Sequence, residues 1–270
     1  MYNQSKEEGY EPFCHVPLLF FKINRFDLKN LSDHHHFMED LTRNGFGVTD
    51  KVIIDLFRYQ AEDNEVYRNY LMHLDLEPDS LRKISQIPFL PISFFKSYSL
   101  RTGDFHPEVY FESSGTTGSQ TSRHGISSMK SYLENARCNF EEFYGDPSSY
   151  CFLALLPSYI ERGNSSLVAM ADHFMKLSGH PENGFFLNDL NDLRERLIKV
   201  EMSGQKTILL GVSFALLDFA EKFSFELKST IVMETGGMKG RKKEITRDEM
   251  HSFLMERLGV SSIHAEYGMT

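Results

Sequence analysis

Cysteine is scarce in this chain. Cys14, Cys138 and Cys151 are the whole complement among 270 residues. They are widely spaced, with no CxxC pair and no zinc-ligand spacing, which speaks against a disulfide scaffold and a cysteine-built metal site. An odd, sparse set fits a reducing compartment. Long apolar runs are lacking too: no stretch approaches the roughly 18 residues that a membrane-spanning helix needs. The opening MYNQSKEEGYEPF has neither the basic nor the apolar region of a secretory signal. Positive charge is in deficit, with 29 Lys and Arg against 38 Asp and Glu and a formal net charge of −9. Nucleic acid and anionic membrane surfaces both want a basic face, so neither is an expected partner, although a small basic pocket is compatible with this balance. The expectation is a cytoplasmic protein with no membrane span and no nucleic-acid partner.

What is present alternates. In TDKVIIDLFRYQAEDNEVYRNYLMHL, Thr49 can cap a helix, and AEDNE suggests a break between two helices. The stretch 84–100 carries Pro88 and Pro91, which exclude a helix interior and a central strand, so an extended approach segment is expected. It leads to a strand at 108–111. Ser127 or Ser128 then caps a helix with Met129, Tyr132, Leu133, Ala136, Phe140 and Phe143 on one face. The continuous apolar run 150–156 reads as a strand covered on both sides. Helices follow from Asn164 or Ser165 and over 190–204 and 212–223, with strands at 207–210, 230–233 and 260–264 between and after them. Thr246 and Glu249 form a capping box, with Gly259 as the helix stop. Strand and helix in alternation predict an α/β fold, a mostly parallel sheet layered with helices. Ligands of such sheets collect beyond the strand C-terminal ends. No repeat or linker divides residues 50–270. Residues 1–45 are set apart as an N-terminal extension, in which His34, His35 and His36 are adjacent and so cannot all point one way.

The densest chemical signal is FESSGTTGSQTSRH (111–124). Gly115 and Gly118 let the backbone fold tightly, and Ser113, Ser114, Thr116 and Thr117 supply hydroxyls. Such a loop can form an anion-binding concavity, and Arg123 adds donors that match phosphate. It can equally be a polar surface turn. It is not a Walker loop, because GxxxxGK[ST] is absent. Two more glycine-bearing turns, at Gly236-Gly237 and at Gly268, also follow expected strands, so the three can converge on one sheet edge.

The order of these motifs resembles the adenylate-forming superfamily of acyl-CoA synthetases, luciferases and related ligases. SSGTTG (113–118) resembles its phosphate loop, Thr235-Gly236-Gly237 its adenine-bordering glycine pair, and Tyr267-Gly268-Met269-Thr270 its later Y-G-x-T motif. With IPFLPISFFKS, LPSYIERGNSSLV, LLGVSFALLDF and METGGMKGRKKEI, the chain looks similar to acyl-protein synthetases of the LuxE type, relatives of phenylacetate-CoA ligases, over about residues 48–270.

The resemblance implies a large domain over residues 46–270 that activates a carboxylic acid, a fatty acid in this family, as an acyl-adenylate. ATP and Mg2+ would serve the first step. A thiol would take the acyl group in the second, and an acyl-acceptor protein or an acyl-CoA reductase-like protein would be the partner. In that reading Ser113, Ser114, Gly115, Thr116, Thr117, Gly118 and Arg123 hold the phosphates. Gly236, Gly237, Tyr267 and Gly268 border the base, and Thr270 contacts the α-phosphate as the catalytic candidate. Two departures stand out. The family's Pro-Lys is missing near Arg123, and the family's magnesium-binding Glu, small C-terminal domain and acyl-carrying thiol would all lie beyond Thr270. The expectation is therefore a large domain truncated before its C-terminal subdomain. No metal-ligating residue is named, and Cys138 and Cys151 are expected to be core residues. Lys239, Arg241, Lys242 and Lys243 can face phosphates or solvent, and Glu161 and Arg162 can border an acyl pocket or lie on the surface. A CoA ligase for an aromatic or aliphatic acid, or a nucleotide- or partner-binding protein without catalysis, are the alternatives.

Overall fold

The computed structural model of the chain describes residues 50–112, 122–156, 164–236 and 245–267. Among the described residues the first elements are two helices, α1 (Asp50–Asp63) and α2 (Glu65–His73), with the expected break at Asn64. The Asn64 side chain accepts from the backbone N–H of Tyr67, 3.0 Å away, and so caps α2. Their apolar sides meet in a cluster of Phe57, Ala61, Tyr67, Leu71 and Leu81. The segment expected to be extended instead makes a 3-10 turn at Ile84–Gln86 and a single-turn helix, α3 (Phe94–Ser97). Proline forbids helix only where its missing N–H is needed. Pro91 stands ahead of α3 and contributes only its carbonyl, which accepts from Phe94 N.

β1 (Val109–Glu112) does not join the main sheet. It pairs antiparallel with β2 (Arg123–Ile126), Glu112 opposite Arg123. Arg123 and His124, expected at the end of the loop, lie on this strand; four residues containing a glycine carry no strand pattern of their own. Next comes α4 (Met129–Tyr144), capped by Ser128, with Ala136 and Phe140 buried. Phe143 lies exposed rather than inward; Tyr144, one position on, packs against the core.

The α/β layer follows. β3 (Cys151–Leu155) leads to α5 (Ser166–Ser178), then to the two-residue β4 (Gly184–Phe185) and α6 (Leu190–Ser203). β5 (Thr207–Val212), α7 (Ser213–Lys222), β6 (Thr230–Thr235), α8 (Arg247–Leu258) and β7 (Ile263–Glu266) complete it. The five strands are all parallel, in the order β4-β3-β5-β6-β7. This is the parallel, helix-layered α/β sheet that the alternation predicts. The last strand begins three residues later than expected.

β3 and β5 are buried at every position, which is why they read as unbroken apolar runs rather than alternating ones. The connections run from β3 to β4 on one side and then back past β3 to β5, β6 and β7. The right-handed crossover preference therefore sets α5 on one face and α6, α7 and α8 on the other. The capping box on α8 is formed as expected, with Thr246 Oγ1 accepting from Glu249 N and Glu249 Oε2 accepting from Thr246 N. Among the described residues no helix is long and apolar enough to cross a membrane.

Candidate functional site

The strand order changes direction at β3, and the C-terminal ends of the strands form one edge. β6 ends in Glu234 and Thr235, with Gly236 next; β7 ends in Glu266, with Tyr267 next, and Thr235 is in register with Glu266. α7 starts at the end of β5, placing Ser213 at the same edge. These residues form a linked polar set in an otherwise apolar region. The Ser213 hydroxyl lies 2.7 Å from the Gly236 carbonyl and 3.0 Å from Glu234 Oε2. Having one proton, it shares a three-centre bond between these acceptors. Arg247, the first residue of α8, donates from Nε and Nη2 to Glu234 Oε1 at 3.1 and 2.7 Å. His251 Nε2 lies 3.6 Å from the same oxygen. On the neighbouring strand, the Thr235 hydroxyl donates to Glu266 Oε2 at 2.6 Å.

Glu234 is buried, and so charge-neutralised by Arg247 rather than presented as a bare anion. Glu266 has no cation of its own among the described contacts. Burial pushes its carboxyl above the usual carboxylate range, and the neighbouring Glu234 charge adds to this, against the Thr235 hydrogen bond. Tyr132 of α4 reaches the same edge. Burial pushes its phenol up to about 12, with the Glu266 charge acting in the same direction. Its hydroxyl is 3.5 Å from the Ser166 carbonyl at the start of α5, and its ring packs 5.1 Å from Phe111. The β1–β2 hairpin is tied to that point as well: Glu112 N donates to the Asn164 carbonyl at 2.9 Å, and Asn164 Nδ2 donates to Glu112 Oε2 at 2.7 Å. The end of β1 is thus tied to Tyr132 and the start of α5, and the Glu266 charge at the end of β7 acts on the same Tyr132 hydroxyl.

Of the sequence-expected site residues, three are described. Arg123 stands on β2, 3.3 Å from Glu112, with its guanidinium 4.4 Å from the centre of the Tyr110 ring. Gly236 leaves β6 at φ +72°, and Tyr267 leaves β7 more than half exposed. Ser113, Ser114, Gly115, Thr116, Thr117, Gly118, Gly237, Gly268 and Thr270 lie outside the described residues, as do Glu161, Arg162, Lys239, Arg241, Lys242 and Lys243. Ser213, Glu234, Arg247, Glu266 and Tyr132 were missed. The available signal was Glu234, an acid closing the apolar strand TIVMET; nothing in the pattern marks Arg247, which looks like an ordinary first-turn residue.

Neither described thiol is set up as a nucleophile. Cys151 is buried, and burial pushes its thiol up to about 12; Cys138 is partly buried and is also raised by burial. Cys151 is the core residue expected, whereas Cys138 is only partly covered. Among the described residues no group of three or more His, Cys, Asp or Glu is arranged to hold a metal ion. Glu234 is already engaged by Arg247 and Ser213.

Comparison with known proteins gives one partial relative. Over 99 residues, 36% of the chain, the sequence is 31% identical to the long-chain-fatty-acid–luciferin-component ligase of Aliivibrio fischeri. The matched region covers 23% of that ligase's length. No family model and no solved structure matches the chain. The chain is thus similar, over about a third of its length, to a ligase that acts on long-chain fatty acids.

Proposed function

We propose that the chain is the ATP-binding part of an acyl-protein synthetase-like ligase, which activates a carboxylic acid, a fatty acid by preference, as its acyl-adenylate. The observation that carries this is the joint placement of Gly236 and Tyr267 at the ends of adjacent parallel strands. The partial likeness to a fatty-acid ligase supports it. In the reaction, an acid carboxylate oxygen attacks the α-phosphorus of ATP. The bond from that phosphorus to the bridging oxygen breaks, and pyrophosphate leaves. A thiolate supplied from elsewhere then attacks the acyl carbonyl, and AMP departs.

Little acid–base help is needed; positioning and stabilisation of phosphoryl charge dominate. Gly236 and Gly237 would admit the base close to the backbone, Tyr267 would cover it, and Gly268 would turn the chain beside it. Ser113, Ser114, Gly115, Thr116, Thr117 and Gly118 would line the phosphates, and Thr270 would reach the α-phosphate. Arg123 would join the phosphate contacts by exchanging Glu112 for the ligand. Magnesium would accompany ATP as part of the substrate, and no step is assigned to a protein-held ion.

The test is mass spectrometry of the chain incubated with magnesium-ATP and a panel of long-chain, short-chain and aryl acids. The expected product is a fatty acyl-adenylate. An aryl-adenylate alone would move the reading to a phenylacetate-type ligase. ATP binding with no adenylate from any acid would reduce it to a nucleotide-binding protein, and no ATP binding would overturn it.

A further inference from the structure

Two residues at the sheet edge break the local rules for the helices that carry them. Ser213 is the first residue of α7, one position past the cap that serine commonly fills. The cap position is Val212, which makes no side-chain bond, and Ser213's own hydroxyl turns instead to Gly236 and Glu234. Arg247 is the first residue of α8, the positive end of the helix dipole, where a cation is unfavourable. Both exceptions resolve at Glu234, a carboxylate only 4% exposed. A buried carboxylate is costly unless paired, and here it gathers Arg247 from the helix after β6 and Ser213 from the helix before it. Exceptions to local preference that converge on one place mark functional or strained positions.

The atom that the set holds is the Gly236 carbonyl. Gly236 sits at φ +72°, where the peptide that follows β6 can rotate at low steric cost. Ser213, only 2% exposed, is the side chain that fixes that carbonyl, and Glu234 with Arg247 fixes Ser213. We infer that Ser213, Glu234 and Arg247 form a brace that positions Gly236 for the nucleotide, with Ser213 as the positioning residue. This rests on the proposed function, in which Gly236 borders the base of ATP. The brace acts on the bound substrate rather than on the reacting phosphorus. Its loss therefore weakens ATP binding and leaves the chemical step nearly alone.

The experiment compares the wild-type chain with Ser213→Ala and Ser213→Thr by calorimetric ATP binding, by adenylate formation, by hydrogen exchange at Glu234, Thr235 and Gly236, and by thermal melting. Ser213→Ala is expected to remain folded, to exchange faster at Gly236, to lose about tenfold in ATP affinity and to show a KM for ATP about tenfold higher, with kcat within about twofold. Ser213→Thr, which keeps the hydroxyl, is expected to recover most of that loss. Arg247→Gln is the second variant, should Ser213→Ala fail to fold; its side chain is 60% exposed, and Gln keeps an amide donor for Glu234 while removing the charge. It is expected to weaken ATP binding by about threefold. Faster exchange with unchanged ATP affinity would make the brace purely structural and overturn the inference. Unchanged exchange at Gly236 would remove the brace itself. A wild-type chain that binds no ATP would overturn the proposed function and the nucleotide role of Ser213, and the exchange arm would still decide whether the brace exists.

Discussion

Glu266 and His264 lie two residues apart on β7, and burial shifts them in ways that oppose each other in pH. Burial raises the Glu266 carboxyl. The folded state therefore holds that proton more tightly than the unfolded chain. Its contribution to stability is fully present below the ordinary carboxylate range and is lost as pH rises through the folded value. Glu266→Gln keeps an acceptor for the Thr235 hydroxyl and removes the charge, so it is expected to raise Tm at about pH 8 by roughly 2–4 °C. A fall in Tm there would show that the charge is stabilised by groups beyond Thr235. His264 runs the other way. Burial lowers its imidazole, and Nδ1 shares a 2.8 Å hydrogen bond with the Tyr144 hydroxyl. Its contribution is full above about pH 6.5, the ordinary histidine value, and is lost as pH falls through the lowered folded value. Melting His264→Gln from about pH 7.5 down to 5 should give a shallower acid decline than wild type; a parallel decline would assign the slope to other groups. These roles were not legible in the sequence. Gly236 and Tyr267 stand out because glycine and aromatic residues mark a turn by type. Glu234, Glu266 and Arg247 acquire their meaning from pairing across strands and onto a helix start, which spacing along the chain does not encode.

Helix ends show how one local motif carries different weight in different places. Gly204 ends α6 at φ +68° and Gly259 ends α8 at φ +67°. Alanine at either position would occupy a left-handed conformation at a cost of about 1 kcal/mol. A Cβ on Gly204 would meet nothing within 4 Å, whereas one on Gly259 would lie 2.7 Å from the Glu226 Cα and from the Phe225 carbonyl oxygen. Those are backbone atoms and cannot swing aside. Gly259→Ala should therefore destabilise by at least about 1–3 kcal/mol more than Gly204→Ala in urea denaturation; equal losses would mean that the 225–226 turn yields freely. At this scale the sequence was informative wherever a signal is local. The capping box, the glycine stops, the break at Asn64 and the buried strands all follow from neighbours in the chain. The elements that escaped were β2 and β4, four residues and two, whose strand character comes wholly from a partner: Glu112 opposite Arg123, and Phe185 beside Ala154. The short helix after Pro91 escaped for a related reason, since proline forbids helix behind it but not ahead of it.

Across the whole molecule, apolar packing is unevenly shared. The largest cluster joins β3, β5 and β6 to the helices on both faces of the sheet, and Phe57, Ala61, Tyr67, Leu71 and Leu81 form another around α1 and α2. Among the described residues, the hydrogen bonds found around the second cluster fall within residues 50–103. Gly103 N donates to the Asp63 carbonyl, Thr102 Oγ1 to Gln60 Oε1, and the Tyr67 hydroxyl to the Pro88 carbonyl at 2.7 Å. A unit whose described hydrogen bonds are its own is expected to open at lower cost than β5, which is buried at every residue and paired on both sides. Tyr67 is the residue on which to test this. It is buried, it packs edge-on against Phe57, and its hydroxyl ties α2 to the proline segment. Tyr67→Ala removes both the ring and the tie, at a local cost of about 3–5 kcal/mol. Hydrogen exchange of that variant should show α1 and α2 amides losing protection while the Thr207–Val212 amides of β5 keep wild-type values. Equal loss in β5 would show instead that the helical unit and the sheet open together.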